Sequence, residues 1–466
     1  MKRKSLLCLL SSILAFSLLL AACAPAPVHN AGLNENQNAS NDSVEYPAYD
    51  TSGVYPDVTG QLVIDVTEDN SRIMVIAIEL YQRMFPNVEV ITNKYLSAGD
   101  VQSYYDSIPA NIMAGKASDL LLIDSFTFPD IYKSMEAGVF EDLNPYFEND
   151  DNIHLENYHS AILEGGVYKG SRFFVPIGYT VNAFLTTREA LEDKGFELGD
   201  TQNFKDFIGA LGTYIEKTKN STGEYVMSIA DLSYNFWPWS NFEIVDYVDK
   251  TVNVETEEFK LLMDFMRDFH SYYEQRESLL STDINQVKSG VLLFKNNSTI
   301  HPTVFLNEYL RLLEDGTPVC FTMPGVNGKS GANAYYGAVI PKASANKENA
   351  YEFLKILMSE DVQGSPTIGI SLPVNNQARE AIINYWIDGH IKSIKQEDGV
   401  DISEKVTPEV RQSLIDMYGD VVYAANDSNA ILDFIYETMT PYFKGEAEYD
   451  ECVAQLKNKL ELYVLE

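Results

Sequence analysis

Two kinds of residue in this chain are suited to chemistry. One is a dense aromatic stretch holding Tyr234, Trp237 and Trp239. The other is a set of polar residues placed just after apolar, strand-like runs: Glu68, Asp69 and Asn70; Asp124 with Ser125 and Phe126; and Asn296 with Asn297. Aromatic faces stack on patches of C–H, and carboxylates and carboxamides hydrogen-bond hydroxyls in pairs. Together they suit non-covalent capture of a polyhydroxylated solute such as a sugar. Each also has a plainer reading. A Trp-Pro-Trp pair packs cores, and Glu68-Asp69-Asn70 can cap a helix and sense its dipole. Asp124 ends the run Leu120-Leu121-Leu122-Ile123, and ligands gather beyond the carboxyl ends of strands in open α/β sheets.

The elements that must carry these residues alternate. Residues 61–66 read as a strand. A helix follows through Met74, Ile78, Tyr81 and Phe85, and Pro86 ends it. Residues 88–91 read as a second strand. A helix through Tyr104, Ile108, Ile112 and Met113 closes at Gly115. The run 120–123 reads as a strand buried on both faces. This is the βαβ pattern of an open sheet. Val175-Pro176-Ile177-Gly178-Tyr179-Thr180-Val181-Asn182 then reads as a hinge into a second α/β region. That region has an amphipathic helix over 204–215, a long helix over 256–275 and a buried strand at 291–294. Near 319–341 the chain is expected to return to the first half and cross back, and residues 366–466 read as mostly helical.

At 466 residues the chain is too long for one ordinary core. Its α/β pattern is divided here into a first lobe of residues 59–178 and 319–365, and a second of 179–318 and 366–466. The net charge is −34, which opposes nucleic acid or an anionic surface as partner. Enzymatic signatures are missing: there is no His-Glu-x-x-His, no G-x-S-x-G and no phosphate-binding glycine loop. His154 and His159 are five apart, the wrong spacing for one helical face. No metal or cofactor site is read, and no carboxylate pair is marked for glycoside hydrolysis, although the many acids leave that open.

Lys2, Arg3 and Lys4 precede an apolar stretch over 5–20, the length of a secretory core rather than a membrane span. Leu20-Ala21-Ala22-Cys23 follows and resembles the bacterial lipoprotein processing box. The resemblance implies a signal peptide over 1–22 and lipid on Cys23. Loss of the first 22 residues removes three positive charges and no negative ones, leaving −37. Residues 24–58 lack periodicity and read, with Cys23, as a disordered tether. Cys8 lies in the signal segment, so Cys320 and Cys452 remain; they read as buried free thiols rather than a pair.

Ala114-Gly115-Lys116-Ala117-Ser118-Asp119-Leu120 and Met135-Glu136-Ala137-Gly138-Val139-Phe140-Glu141-Asp142-Leu143 resemble the extracellular solute-binding proteins of ABC importers. The group is the carbohydrate-binding one that includes maltose-binding protein. Phe174-Val175-Pro176 resembles its first crossover. Gly337-Ala338-Val339-Ile340-Pro341 and Asn349-Ala350-Tyr351-Glu352-Phe353 resemble its return segment. The resemblance implies a two-lobed periplasmic-binding-protein-like fold (type II) with hinge crossovers. It also implies a monomer that captures a carbohydrate between its lobes and delivers it to permease subunits, with no catalysis. By the same resemblance, Glu68 to Ser71, Asp124 to Phe126, Tyr234 and Thr180 contact ligand. Where the family places a stacking Trp, this chain has Asn296-Asn297-Ser298, and a late Trp is missing near residues 429–432. A maltodextrin is therefore less expected than another sugar, held by aromatics such as Tyr179, Tyr335 or Tyr336. A polyamine, a peptide or a metal chelate are the alternative solutes.

Overall fold

A computed structural model describes residues 48–466 apart from 69, 125–127, 129, 200–202, 222, 228–241, 275–283, 299–301, 327–329, 367–370 and 426–428. The expected contacts Asp69, Ser125, Phe126, Tyr234, Trp237 and Trp239 lie outside the described residues, as do residues 1–47 with Cys23.

The first strand, β1 (Gly60–Thr67), buries its last four residues. Helix α1 (Ser71–Met84) turns Ile73, Met74, Ala77, Tyr81 and Met84 inward, one face at helical spacing. Strand β2 (Val88–Tyr95) pairs in parallel with β1 from Gly60 opposite Val88 to Thr67 opposite Tyr95, four residues past the expected end. Helix α2 (Ala98–Met113) is followed by Gly115 at φ +63°, a left-handed turn that glycine adopts freely. Strand β3 (Leu121–Asp124) comes next, then the short helix α3 (Ile131–Glu136), capped by Asp130.

The long strand β4 (Val175–Thr187) is buried throughout. Beyond it lie α4 (Phe204–Thr218), the hairpin β5 (Val245–Asp246) and β6 (Thr251–Val252), α5 (Glu257–Glu274), β7 (Lys295–Ser298) and α6 (Pro302–Leu312). Strands β8 (Pro318–Thr322) and β9 (Gly331–Val339) follow, then α7 (Lys347–Met358) and α8 (Glu360–Gln363). The chain ends through β10 (Leu372–Pro373), α9 (Asn376–Glu397), α10 (Pro408–Gly419), β11 (Tyr423–Ala425), α11 (Asn429–Phe443) and α12 (Tyr449–Leu465). The helical C-terminal part is as expected.

Strand β4 belongs to two ladders. Its residues 175–181 pair antiparallel with β9, and its residues 182–187 pair with β7 and β8. Strand β9 also carries β3, so the first half of β4 lies in the sheet of the first lobe. The second half enters another core: Phe184 stacks on Phe321 at 5.3 Å and meets Phe207 and Phe294 edge-on. The chain returns between β8 and β9. Helix α7 packs on α1 and β1, whereas α9 packs on α6. The third crossing therefore runs by β10, which pairs with β4 at Tyr179 and Gly178. A Cβ on Gly178 would stand 2.3 Å from Ser371 Oγ and 3.0 Å from its Cβ, so any larger residue at this crossing must displace Ser371. The fold is a two-lobed α/β receptor with hinge crossovers.

Three local expectations change. Residues 120–123 are buried on both faces, but the ladder of β3 with β9 is antiparallel and only Leu120 opposite Ile64 is parallel, so the sheet is mixed. Residues 291–294 are not the strand of the second lobe: Leu293 and Phe294 donate to the carbonyls of Tyr225 and Val226, and pairing with β4 begins at Lys295. An apolar run marks burial, while pairing depends on where the neighbouring strand lies. The segment 49–58, expected within the tether, is fixed to the first lobe. Lys355 lies 5.1 Å from the Tyr49 ring, Arg83 donates to the Thr51 carbonyl at 2.7 Å, and Tyr55 stacks on Phe85 at 5.3 Å.

Candidate functional site

The point where β4 leaves one ladder for the other carries polar side chains. Thr180 and Asn182 alternate with the buried Val181 and Ala183, so the pleat places both on one face. Asn333 of β9 stands opposite Thr180, and Asn296 of β7 stands opposite Phe184 on the next step of that face. Thr180, Asn182 and Asn296 are all at most 3% exposed. Yet the Thr180 hydroxyl and both ends of the Asn182 and Asn296 carboxamides have no hydrogen-bond partner among the described residues. Buried polar groups are nearly always paired, and each unpaired group costs about 1–3 kcal/mol. These groups are neutral and offer both donors and acceptors, as hydroxyls require.

The first lobe brings further candidates to the same crossover. Asp124 ends β3 opposite Tyr336, and Tyr336 is in turn opposite Gly178 of β4. Tyr335 and Tyr336 meet edge-to-face at 4.4 Å. From the second lobe, Asn297 sits in β7 opposite Ala183. At the end of β1, Glu68 is exposed. Asn70 stands just before α1, its Oδ1 accepting from the Thr67 amide at the end of β1 at 2.9 Å, while its buried Nδ2 has no partner among the described residues. Its side chain makes no capping bond to α1, so the expected helix cap is not formed by Asn70.

Tyr179 departs from the expected ligand contact. It faces away from Thr180, is fully buried, and donates its hydroxyl to the Tyr418 carbonyl at 2.7 Å. Its ring meets His159 edge-on at 5.5 Å. Burial pushes the phenol up to about 12 and the His159 imidazole down to about 4. A strand residue one step from a site faces the other way, so Tyr179 packs the hinge.

Asn182 and Asn333 were not singled out in the sequence. A signal existed for Asn182: in Thr180-Val181-Asn182-Ala183-Phe184-Leu185-Thr186, polar residues recur at alternate positions of an otherwise apolar strand. Among the described residues no group of three or more His, Cys, Asp and Glu side chains is placed to hold a metal ion.

Two lobes joined by crossover strands, with unpaired neutral polar groups at the strand switch, define a receptor of the periplasmic-binding-protein type. The chain belongs to the bacterial extracellular solute-binding protein family, whose profile matches residues 65–364. No curated protein matches it. Among solved structures it is similar to the sugar-binding protein MalE of Xanthomonas citri, at 13% identity and a TM-score of 0.62, over 87% of this chain and 97% of that one. It is also similar to the ABC substrate-binding protein Lmo0181 of Listeria monocytogenes, solved with cycloalternan, at 12% identity and a TM-score of 0.56, over 87% and 99%. The GacH receptor of Streptomyces glaucescens, solved unliganded and with acarbose, shares 17% identity and a TM-score of 0.54, over 88% and 99%. The family and these neighbours are binding proteins.

Proposed function

We propose that this protein captures a neutral carbohydrate between its lobes and hands it to an ABC permease, without breaking a bond in it. The observation that carries the reading is the row of unpaired hydroxyl and carboxamide groups of Thr180, Asn182 and Asn296 at the strand switch. A sugar supplies paired hydroxyls that satisfy such groups, whereas a polyamine calls for carboxylates. The carbohydrates bound by the neighbours named above support the same class. Ligand touching both lobes shifts the population toward a closed form, the form a permease reads. Leu20-Ala21-Ala22-Cys23 supports a lipid on Cys23. The tether then leaves the first lobe near Tyr49, beside α7.

The test is a thermal-shift screen of the mature chain, residues 23–466, against mono- and oligosaccharides, with polyamines and peptides as controls. A solute that binds only the folded state raises Tm by linkage. A rise with one carbohydrate class supports the reading. A rise with polyamines alone overturns it.

A further inference from the structure

Asp130 stands in the first lobe as the N-cap of α3. One carboxylate oxygen, Oδ1, caps α3 by accepting from the Lys133 amide at 3.0 Å. The other, Oδ2, accepts from two phenols: Tyr247 at 2.9 Å and Tyr463 at 2.6 Å. Neither phenol belongs to the first lobe. Tyr247 follows β5 in the hairpin, and Tyr463 lies on α12, which packs on β6 and on α11, itself packed against α5. Neighbouring contacts run the same way. The Lys133 ammonium sits 3.7 Å from the centre of the Tyr463 ring, Tyr132 stacks on Tyr247 at 4.9 Å, and Lys250 of the hairpin pairs with Glu136. Asp130 and Tyr247 are both 7% exposed.

The contact joins the first lobe to elements of the second through polar and ring contacts at its edge. A cavity of about 280 Å³ remains beside it, lined from the first lobe by Tyr132 and Tyr168 and from the second by Val245 and Tyr247. The bonds are phenol to carboxylate, stronger than neutral pairs.

We propose that Asp130, Tyr247 and Tyr463 form an interlobe latch that sets the balance between open and closed forms from outside the ligand site. The inference rests on the reading that the lobes close on a solute. Bonds made only in the closed form add to its population, and so to apparent affinity, without touching ligand.

The test uses the full mature chain without ligand, with one spin label on each lobe. Replacing both phenols, Tyr247→Phe with Tyr463→Phe, keeps the rings and removes the two hydroxyls. The expected result is a loss of short interlobe distances, the closed-to-open ratio falling about tenfold. Tyr442→Phe is the control: it removes a phenol–carboxylate bond to Asp264 inside the second lobe, and its distances should match the wild type. Coincident distributions for wild type and the double variant overturn the latch, as does an equal change in the control. No solute enters this measurement, so a failure of the carbohydrate reading leaves the outcome readable.

Discussion

Thr180 and Asn182 stand two residues apart on one face of β4, both buried, and the hydroxyl of the first and the carboxamide of the second lack partners among the described residues. Groups kept in that state lower the stability of the empty protein. Thr180→Val and Asn182→Leu preserve shape approximately and remove the unpaired atoms. The ligand-free protein should therefore be as stable or gain about 1–2 kcal/mol per substitution. Binding of the solute found in the screen should fall at least about tenfold. Urea titration and calorimetry read the two effects. Lower stability with unchanged affinity would make these residues structural.

The hinge face opposite Thr180 predicts the reverse pattern. Tyr179→Phe removes one buried phenol–carbonyl bond to Tyr418 and leaves that carbonyl unpaired. The loss should be about 1 kcal/mol of stability with affinity unchanged. If the variant binds its solute markedly less tightly at full stability, Tyr179 is a ligand contact after all.

Much of the fold was legible because its signals are local. Strand, helix and loop alternate from β1 to β3 with apolar spacing and terminators that need no tertiary knowledge, and the Pro-Gly hinge at 175–182 stands out by type. What was not legible depends on neighbours. The shift of pairing from 291–294 to Lys295 follows from where β4 runs, and the docking of Tyr49 and Tyr55 needs α1 and α7 in place. At the candidate site, Asn296 was readable from its type and its place after a strand-like run, Thr180 came from the family resemblance, and Asn182 was missed although it alternates with Thr180. The same alternation sets Tyr179 with Val181 and Ala183 on the other face, but both faces of β4 are buried, so only the polar residues and not burial mark the side that Tyr179 takes.

His159 gives the protein a pH dependence whose sign can be stated. Burial first, and the nearby Arg379 charge second, hold its imidazole at about 4 against the ordinary 6.5. Between those values the unfolded chain binds a proton that the folded one refuses. The contribution is thus fully present above pH 6.5 and is lost as pH falls toward 4, in all about 3 kcal/mol. His159→Gln abolishes that titration and still donates toward the Gly419 carbonyl, which lies 3.0 Å from Nε2. Urea midpoints at pH 7 and pH 4.5 should drop further for the wild type than for the variant. Parallel drops would refute the assignment.

Cys320 and Cys452 are free thiols. Burial pushes the Cys320 thiol up to about 12 and raises Cys452 as well, so neither forms the reactive thiolate at neutral pH. A thiol reagent at pH 7.5 should label neither in the native mature chain and both after denaturation without reductant. Labelling of neither after denaturation would reveal a disulfide.

Lys295 and Glu308 form an ion pair between β7 and α6, with side chains only 7% and 11% exposed. Lys295 precedes the candidate site residue Asn296, so the pair has either a positioning role or a packing one. Backbone pairing decides between them: Lys295, Asn296 and Asn297 stand opposite Leu185, Phe184 and Ala183 of β4, and that ladder holds Asn296 without the ion pair. Glu308→Leu leaves a buried ammonium unpaired and should cost about 3–5 kcal/mol. Adding Lys295→Met removes that charge, and apolar side chains of similar size should recover most of the loss. Affinity in the double variant should stay within about twofold of the wild type, because the ladder and not the charge positions Asn296. A double variant as unstable as Glu308→Leu would show that the pair itself stabilises the fold. A stable double variant that no longer binds would show that it positions the site.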